Sequence, residues 1–199
     1  MNTSLQFDEA THRYTLNGVE LPSVTKILDD VLQEYASIDA ETMRVARERG
    51  TAVHKACELH DKDSLDYDSL DPVVLPYMEA YIKFLNDTGF DPQIIEQPVH
   101  SRFRYAGTLD RIGSAKHSKN RWQIDIKTPK SISTSVGPQT AAYDQAAREC
   151  GWIEKKEKVE RYALQLRDNG TYRMVPCQSP IDFNVFLSAL TIYNFKRGM

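Results

Sequence analysis

The sequence predicts a mixed α/β fold, a central sheet flanked by helices, on three observations. Of 199 residues, 41% are hydrophobic and 27% charged, near the globular average, and a chain this long buries roughly 70% of its unfolded surface. Segments with apolar residues at helical spacing alternate with short runs rich in β-branched and aromatic residues. No repeat, low-complexity tract or dividing linker interrupts them. Residues 1–199 therefore read as one domain, with an N-terminal β-hairpin and helices over 1–90 and a sheet with helices over 91–199.

The elements follow in order. Residues 11–16 and 19–21 flank Asn17-Gly18, the strongest two-residue hairpin signal. Ser23 is placed to cap a helix carrying Val24, Ile27, Leu28 and Val31 at helical spacing. A second helix spans 41–60 with Met43, Ala46, Val53 and Cys57 inward; Gly50 inside it, about 1 kcal/mol worse than Ala, suggests a break. Residues 61–71 are acidic and turn-like, and a helix over 73–88 ends at Gly89. Strands are expected at 94–99, 104–112 and 122–127, and a helix at 138–150. A hairpin over 159–167 and 171–175 turns at Asp168-Asn169-Gly170, and a last helix covers 180–197.

Composition narrows the function. No run approaches the ~18 apolar residues of a membrane span, and the first residues lack the basic start and apolar stretch of a secretory signal. Cys57, Cys150 and Cys177 are odd in number and widely spaced, which disfavours a disulfide scaffold or a metal–thiolate site and points to a reducing cytoplasm. The net charge of −3 hides an asymmetry: residues 1–100 carry −11 and residues 101–199 carry +8. Such a split hints at a surface facing a polyanion, although a solvated charged face produces it too.

Two aspartates on adjacent expected strands carry the chemistry: Asp110 in GTLD, and Asp125 in QIDIK with Lys127 two residues on. Residues two apart on a strand share a face, so Asp125 and Lys127 point one way while Ile124 and Ile126 point to the core. Paired carboxylates bind Mg²⁺ or Mn²⁺, and an ammonium beside them suits metal-assisted phosphodiester hydrolysis. The same spacing fits a cross-strand ion pair. His54, with Glu58 one turn later, and Gln139 with Tyr143 at i, i+4 are further candidates that core packing or capping also explains. Gly107 within a strand marks a bulge or a close backbone approach.

In chain order, His54 in RGTAVH, Asp110 in AGTLD, Asp125 and Lys127 in DIK, and Gln139 and Tyr143 in QTAAY resemble the successive motifs of RecB-like nucleases. These belong to the PD-(D/E)xK superfamily, with its restriction-endonuclease-like fold. The resemblance runs from about residue 49 to 143, and PSVTKIL near the start is similar to phage-encoded members. It implies that His54, Asp110, Asp125 and the Ile126 carbonyl ligate a catalytic Mg²⁺ or Mn²⁺. Lys127 would orient the attacking water, and Gln139 and Tyr143 would line the site. Glu58 and Glu96 are extra carboxylates for a second metal or a water, with plain solvation as the alternative. Leu109 stands where the superfamily often has proline, and the cysteine quartet of the iron–sulfur subgroup is missing, so no such cluster is expected.

Residues 101–130 carry net +6, which makes Arg102, Arg104, Arg111 and Lys130 candidate DNA contacts. Phe103, Tyr105 and Trp122 are placed either to stack on bases or to fill the core. The expected function is a Mg²⁺- or Mn²⁺-dependent deoxyribonuclease. The resemblance favours an exonuclease acting on single- or double-stranded DNA ends in recombination, repair or phage DNA processing, in the cytoplasm. A structure-selective endonuclease, a non-catalytic DNA-binding or assembly protein, and a non-nuclease with surface ion pairs stay open. So do a homo-oligomer and a phage or host recombination partner.

Overall fold

A computed structural model describes residues 5–34 and 37–198; the first four residues of the segment read above against a secretory signal lie outside it. Strands β1 (Leu5–Asp8), β2 (Arg13–Leu16) and β3 (Val19–Leu21) form a small antiparallel sheet in that order. The expected hairpin is β2–β3, with Asn17 at φ 51° and Gly18 at φ 81°, the left-handed pair its two-residue turn requires. Strand β1 was not foreseen. It is four residues long, and the Asp8 carboxylate ends it by accepting from the amides of Ala10 and Thr11.

Helix α1 (Val24–Leu32) starts where expected, with Ser23 Oγ accepting from the Lys26 amide at 3.1 Å. Helix α2 (Ala40–Asp61) runs unbroken through Gly50. A Cβ there would meet only Thr128 Oγ1 at 3.6 Å, an ordinary contact, so the expected break is absent. The buried residues of α2 are Val53, Ala56 and Cys57, all in its second half. Asp61, read as part of a turn, is its last residue. Helix α3 (Leu75–Thr88) closes on Gly89 at φ 59°.

Strands β4 (Asp91–Ser101), β5 (Tyr105–Ser114), β6 (Arg121–Lys127), β7 (Val159–Leu166) and β8 (Tyr172–Pro176) form a five-stranded mixed sheet in sequence order. All neighbours are antiparallel except β6 and β7, whose parallel pairing needs a crossover. Helix α4 (Val136–Glu149) supplies it, and helix α5 (Asp182–Lys196) follows β8. One sheet face packs with α1, α4 and α5 around Val99, Leu109, Ala142 and Phe186; the other packs with α2 and α3 around Ile124, Ile126, Tyr81 and Phe84. No described helix is long and apolar enough to cross a membrane.

Candidate metal centre

The centre forms where two antiparallel strands part. Strands β5 and β6 pair at Gly113↔Trp122, Ile112↔Gln123 and Arg111↔Ile124, and the next residues in that register are Asp110 and Asp125. There the Asp110 carboxylate takes the place of the ladder, its Oδ2 accepting from the Ile126 amide at 2.6 Å. On the other side, Ile95↔Arg111 and Gln97↔Leu109 set Glu96 opposite Asp110. Glu96 has φ 45°, a left-handed conformation that few residues with a Cβ adopt. Leu109 and Ile112, three apart, both reach the α1/α4/α5 core, so strand alternation is broken at this point. Three carboxylates therefore stand in a row on β4, β5 and β6.

Helix α2 brings His54 to the row. Its Nδ1 lies 3.6 Å from Glu96 Oε1 and 3.7 Å from Asp110 Oδ2, and its Nε2 lies 3.0 Å from the Ile126 carbonyl. Donor atoms of His54, Glu96 and Asp110 all fall within 4.8 Å of one another. Octahedral bonds of about 2.1 Å put neighbouring donors about 3.0 Å and opposite donors about 4.2 Å apart, so these spacings suit one small divalent cation. Two of the donors are carboxylate oxygens, which suit Mg²⁺ and Mn²⁺. The third is an imidazole nitrogen, which suits Zn²⁺ or Fe²⁺ better than Mg²⁺.

The three groups shift one another's titration. Burial, reinforced by Asp125 and Glu96, pushes the Asp110 carboxyl up to about 7 against the pull of His54 and Lys127. Burial works to lower His54, but Asp110 and Glu96 outweigh it and raise the imidazole to about 9. Burial would likewise raise Glu96, yet His54 and Arg111 hold it below its ordinary value.

Asp125 and Lys127 share a face as strand geometry requires, with Nζ 2.7 Å from Asp125 Oδ2. Gln139 on α4 joins them: its Nε2 donates to Asp125 Oδ1 at 3.1 Å and its Oε1 accepts from Lys127 at 3.2 Å. Tyr143, one turn on, is buried against Gly107, where a Cβ would come within 2.5 Å of its ring. That is the close approach the glycine suggested. Thr108, next to Gly107, is tied to the N-terminal sheet through Tyr14 Oη at 2.8 Å.

Several sequence expectations change. Arg111 is no DNA contact. Its side chain is 0% exposed, with Nε 2.5 Å from Asp61 and Nη1 2.8 Å from Glu96, because its strand turns it under α2. The Ile126 carbonyl lies 3.0 Å from His54 Nε2, where it orients the imidazole ring. Glu58 is not brought to the site; it pairs with Lys55 and Lys62 along α2. Glu96, in contrast, is central. Arg102, Arg104 and Lys130 are exposed, as a DNA contact requires. Tyr105 is buried, and Trp122 packs with Phe90 and Tyr162, so both serve the core.

Sequence reasoning missed Asp61 and Tyr81, whose hydroxyl donates to the Asp61 carboxylate at 2.9 Å and completes the support beneath Arg111. The only signal was an acidic residue at the end of a helical pattern. Fold and site together define an α/β protein with a carboxylate–histidine centre at the split between two sheet strands. No family model matches the chain, and no curated protein matches it.

Proposed function

We propose that the protein is a Mg²⁺- or Mn²⁺-dependent deoxyribonuclease of the RecB-like, PD-(D/E)xK kind, with a restriction-endonuclease-like arrangement of the sheet. The observation that carries this reading is a pair of adjoining groups. His54, Glu96 and Asp110 have donor atoms within 4.8 Å of one another, and Asp125, Lys127 and Gln139 form a bonded set joined to Asp110 through the Ile126 amide. In this reading His54, Glu96 and Asp110 hold the cation, with Asp125 one strand away. When bound, the cation supplies Lewis acidity toward a phosphoryl oxygen and a water. The chain's own residues do the rest. Asp110 and the Ile126 amide fix the end of β6, so Asp125 and Lys127 keep their shared face. Gln139 holds both through one amide, which keeps the Lys127 ammonium aimed at the site. There it orients the attacking water and stabilises charge developing on phosphorus.

The resemblance favours action on DNA ends, in cytoplasmic recombination, repair or phage DNA processing. The test incubates the protein with Mg²⁺ or Mn²⁺ and linear or covalently closed circular DNA, single- and double-stranded, beside Lys127→Ala and Asp125→Ala. Degradation of linear DNA alone, lost in both variants, is the expected result. Nicking of closed circles makes it an endonuclease. A wild type as inert as its variants that still retains DNA makes it a binding protein.

A further inference from the structure

A second feature lies away from the carboxylate row. The β2–β3 hairpin, the β4–β5 turn and the C-terminal half of α4 enclose a cleft of about 780 Å³, within the roughly 300–1,000 Å³ of ligand pockets. Its walls differ in chemistry. The hairpin contributes Leu16, Val19 and Leu21, and the opposite side contributes Arg102, Arg104 and Lys155. The one carboxylate lining it, Glu149, is occupied: it accepts from the Arg102 amide at 2.8 Å and stands 3.3 Å from the Arg102 guanidinium.

The cations are not equally free. Arg148, also in the wall, is spent on structure: it pairs with Asp144 and donates to the carbonyls of Glu154, Lys155 and Glu157. That fixes the loop that presents Lys155. Arg104 and Lys155 are exposed, and their cationic groups have no hydrogen bond or ion pair among the described residues. Arg104 also sits at φ 64°, a conformation that persists in a residue with a Cβ only where the surroundings hold it.

An apolar wall facing unpaired cations suits a ligand with flat apolar parts and regularly spaced negative charge. We infer that the cleft holds a single-stranded segment of nucleic acid, with phosphates on Arg104 and Lys155 and bases against Val19 and the accessible side of Leu16. The choice of nucleic acid over other anions rests on the nuclease reading. From Arg104 to Asp110 the chain runs six residues, about 20 Å at ~3.4 Å per residue. A short single strand can therefore reach from the cleft to the carboxylate row.

The test is fluorescence anisotropy of a labelled 12-nucleotide single strand in EDTA buffer, with wild type, Arg104→Ala/Lys155→Ala and Val19→Asp. All three positions are exposed, so the variants fold. Each lost phosphate contact removes about 0.7 from the log–log salt slope for single strands. At about 0.1 M salt that is roughly fivefold in affinity per contact, so the double variant is expected to bind about 25-fold more weakly, with a slope shallower by about 1.4. Val19→Asp, which puts a carboxylate on the apolar wall, weakens binding too.

Binding that the double variant keeps within twofold overturns the cleft while leaving the nuclease reading in place. The expected loss, in a wild type that cleaves no DNA with Mg²⁺ or Mn²⁺, supports the cleft and overturns the nuclease reading instead. No binding by wild type overturns the cleft outright. Displacement of the probe by polyglutamate as readily as by unlabelled DNA assigns the cleft to an acidic peptide and overturns the inference.

Discussion

Arg111→Met isolates the buried ion pair beneath the carboxylate row. Arg111 is 0% exposed and its partner Asp61 is 1% exposed at the side chain, with 2.5 Å between Nε and Oδ2. Methionine matches the length of the arginine stem but leaves the Asp61 carboxylate with the Tyr81 hydroxyl as its remaining support. Breaking a buried pair by removing one partner costs about 3–5 kcal/mol, because the other charge stays buried and uncompensated. For a chain of this size each kcal/mol lowers the melting temperature by about 2–4 °C, so a fall of about 6–20 °C is expected. Removing both charges, as Asp61→Leu/Arg111→Met, leaves no orphan between them. Urea unfolding is then expected to show the double variant at least about 2 kcal/mol more stable than the sum of the single losses. A single-variant cost under about 1 kcal/mol, or additive losses, would refute the assignment of Arg111 to a buried structural pair.

Other outcomes follow from named contacts. Gly107→Ala drives a methyl into the Tyr143 ring, 2.5 Å from Cε1, and is expected to cost about 1–3 kcal/mol in urea unfolding; adding Tyr143→Leu recovers part of it, and no cost at all sinks the packing argument. Glu96→Gln is expected to weaken Mn²⁺ binding at least about tenfold by calorimetry, whereas Glu58→Gln on the flank of α2 leaves it unchanged; equal effects would remove Glu96 from the centre. Burial works to raise the Glu149 carboxyl, but hydrogen bonds from Ser101, Gln145 and Arg102 outweigh it and hold it below its ordinary 4.5. A carboxyl depressed in the folded state stabilises above its unfolded value and loses that contribution as pH falls, so Glu149→Gln lowers the melting temperature at pH 7 and shrinks the loss between about pH 5 and about pH 3. An unchanged acid limb contradicts this.

What the sequence made legible follows a physical rule. Asp125 and Lys127 were readable because a strand has a period of two, and the 2.7 Å pair is that period realised. The Asn17-Gly18 turn was readable because few residues accept left-handed backbone at both positions. Glu96 was harder. It is opposite Asp110 only because β4 and β5 turn over residues 102–104, and a hairpin's centre fixes every cross-strand pair. Locating that turn in HSRFRY would have set Glu96 beside Asp110, but no Gly, Asn or Asp marks it. Arg111 was not readable at all. Its partners lie 15 and 50 residues away, and nothing local separates a buried arginine from an exposed one.

That distinction changes what the net charge of +6 over residues 101–130 means. Counted along the chain, it puts a basic field on the carboxylate row. Folded, Arg111 belongs to Asp61 and Glu96, Lys127 to Asp125, Arg121 to Glu157 and Arg102 to Glu149. Around the centre itself, Glu96, Asp110 and Asp125 face Lys127, His54 and the buried Arg111, so the row does not attract a polyanion strongly on its own. Two consequences follow for the proposed nuclease. Phosphate must be drawn to the row by the divalent cation held there, which makes metal and substrate binding mutually supportive. Affinity for DNA without metal must come from cations the fold leaves unpaired, among them Arg104 in the β4–β5 turn, Lys130 after β6 and Lys155 across the cleft. The part of the sequence that suggested a nucleic-acid partner is thus divided by folding into one set of charges that builds the site and another that is free to meet the ligand.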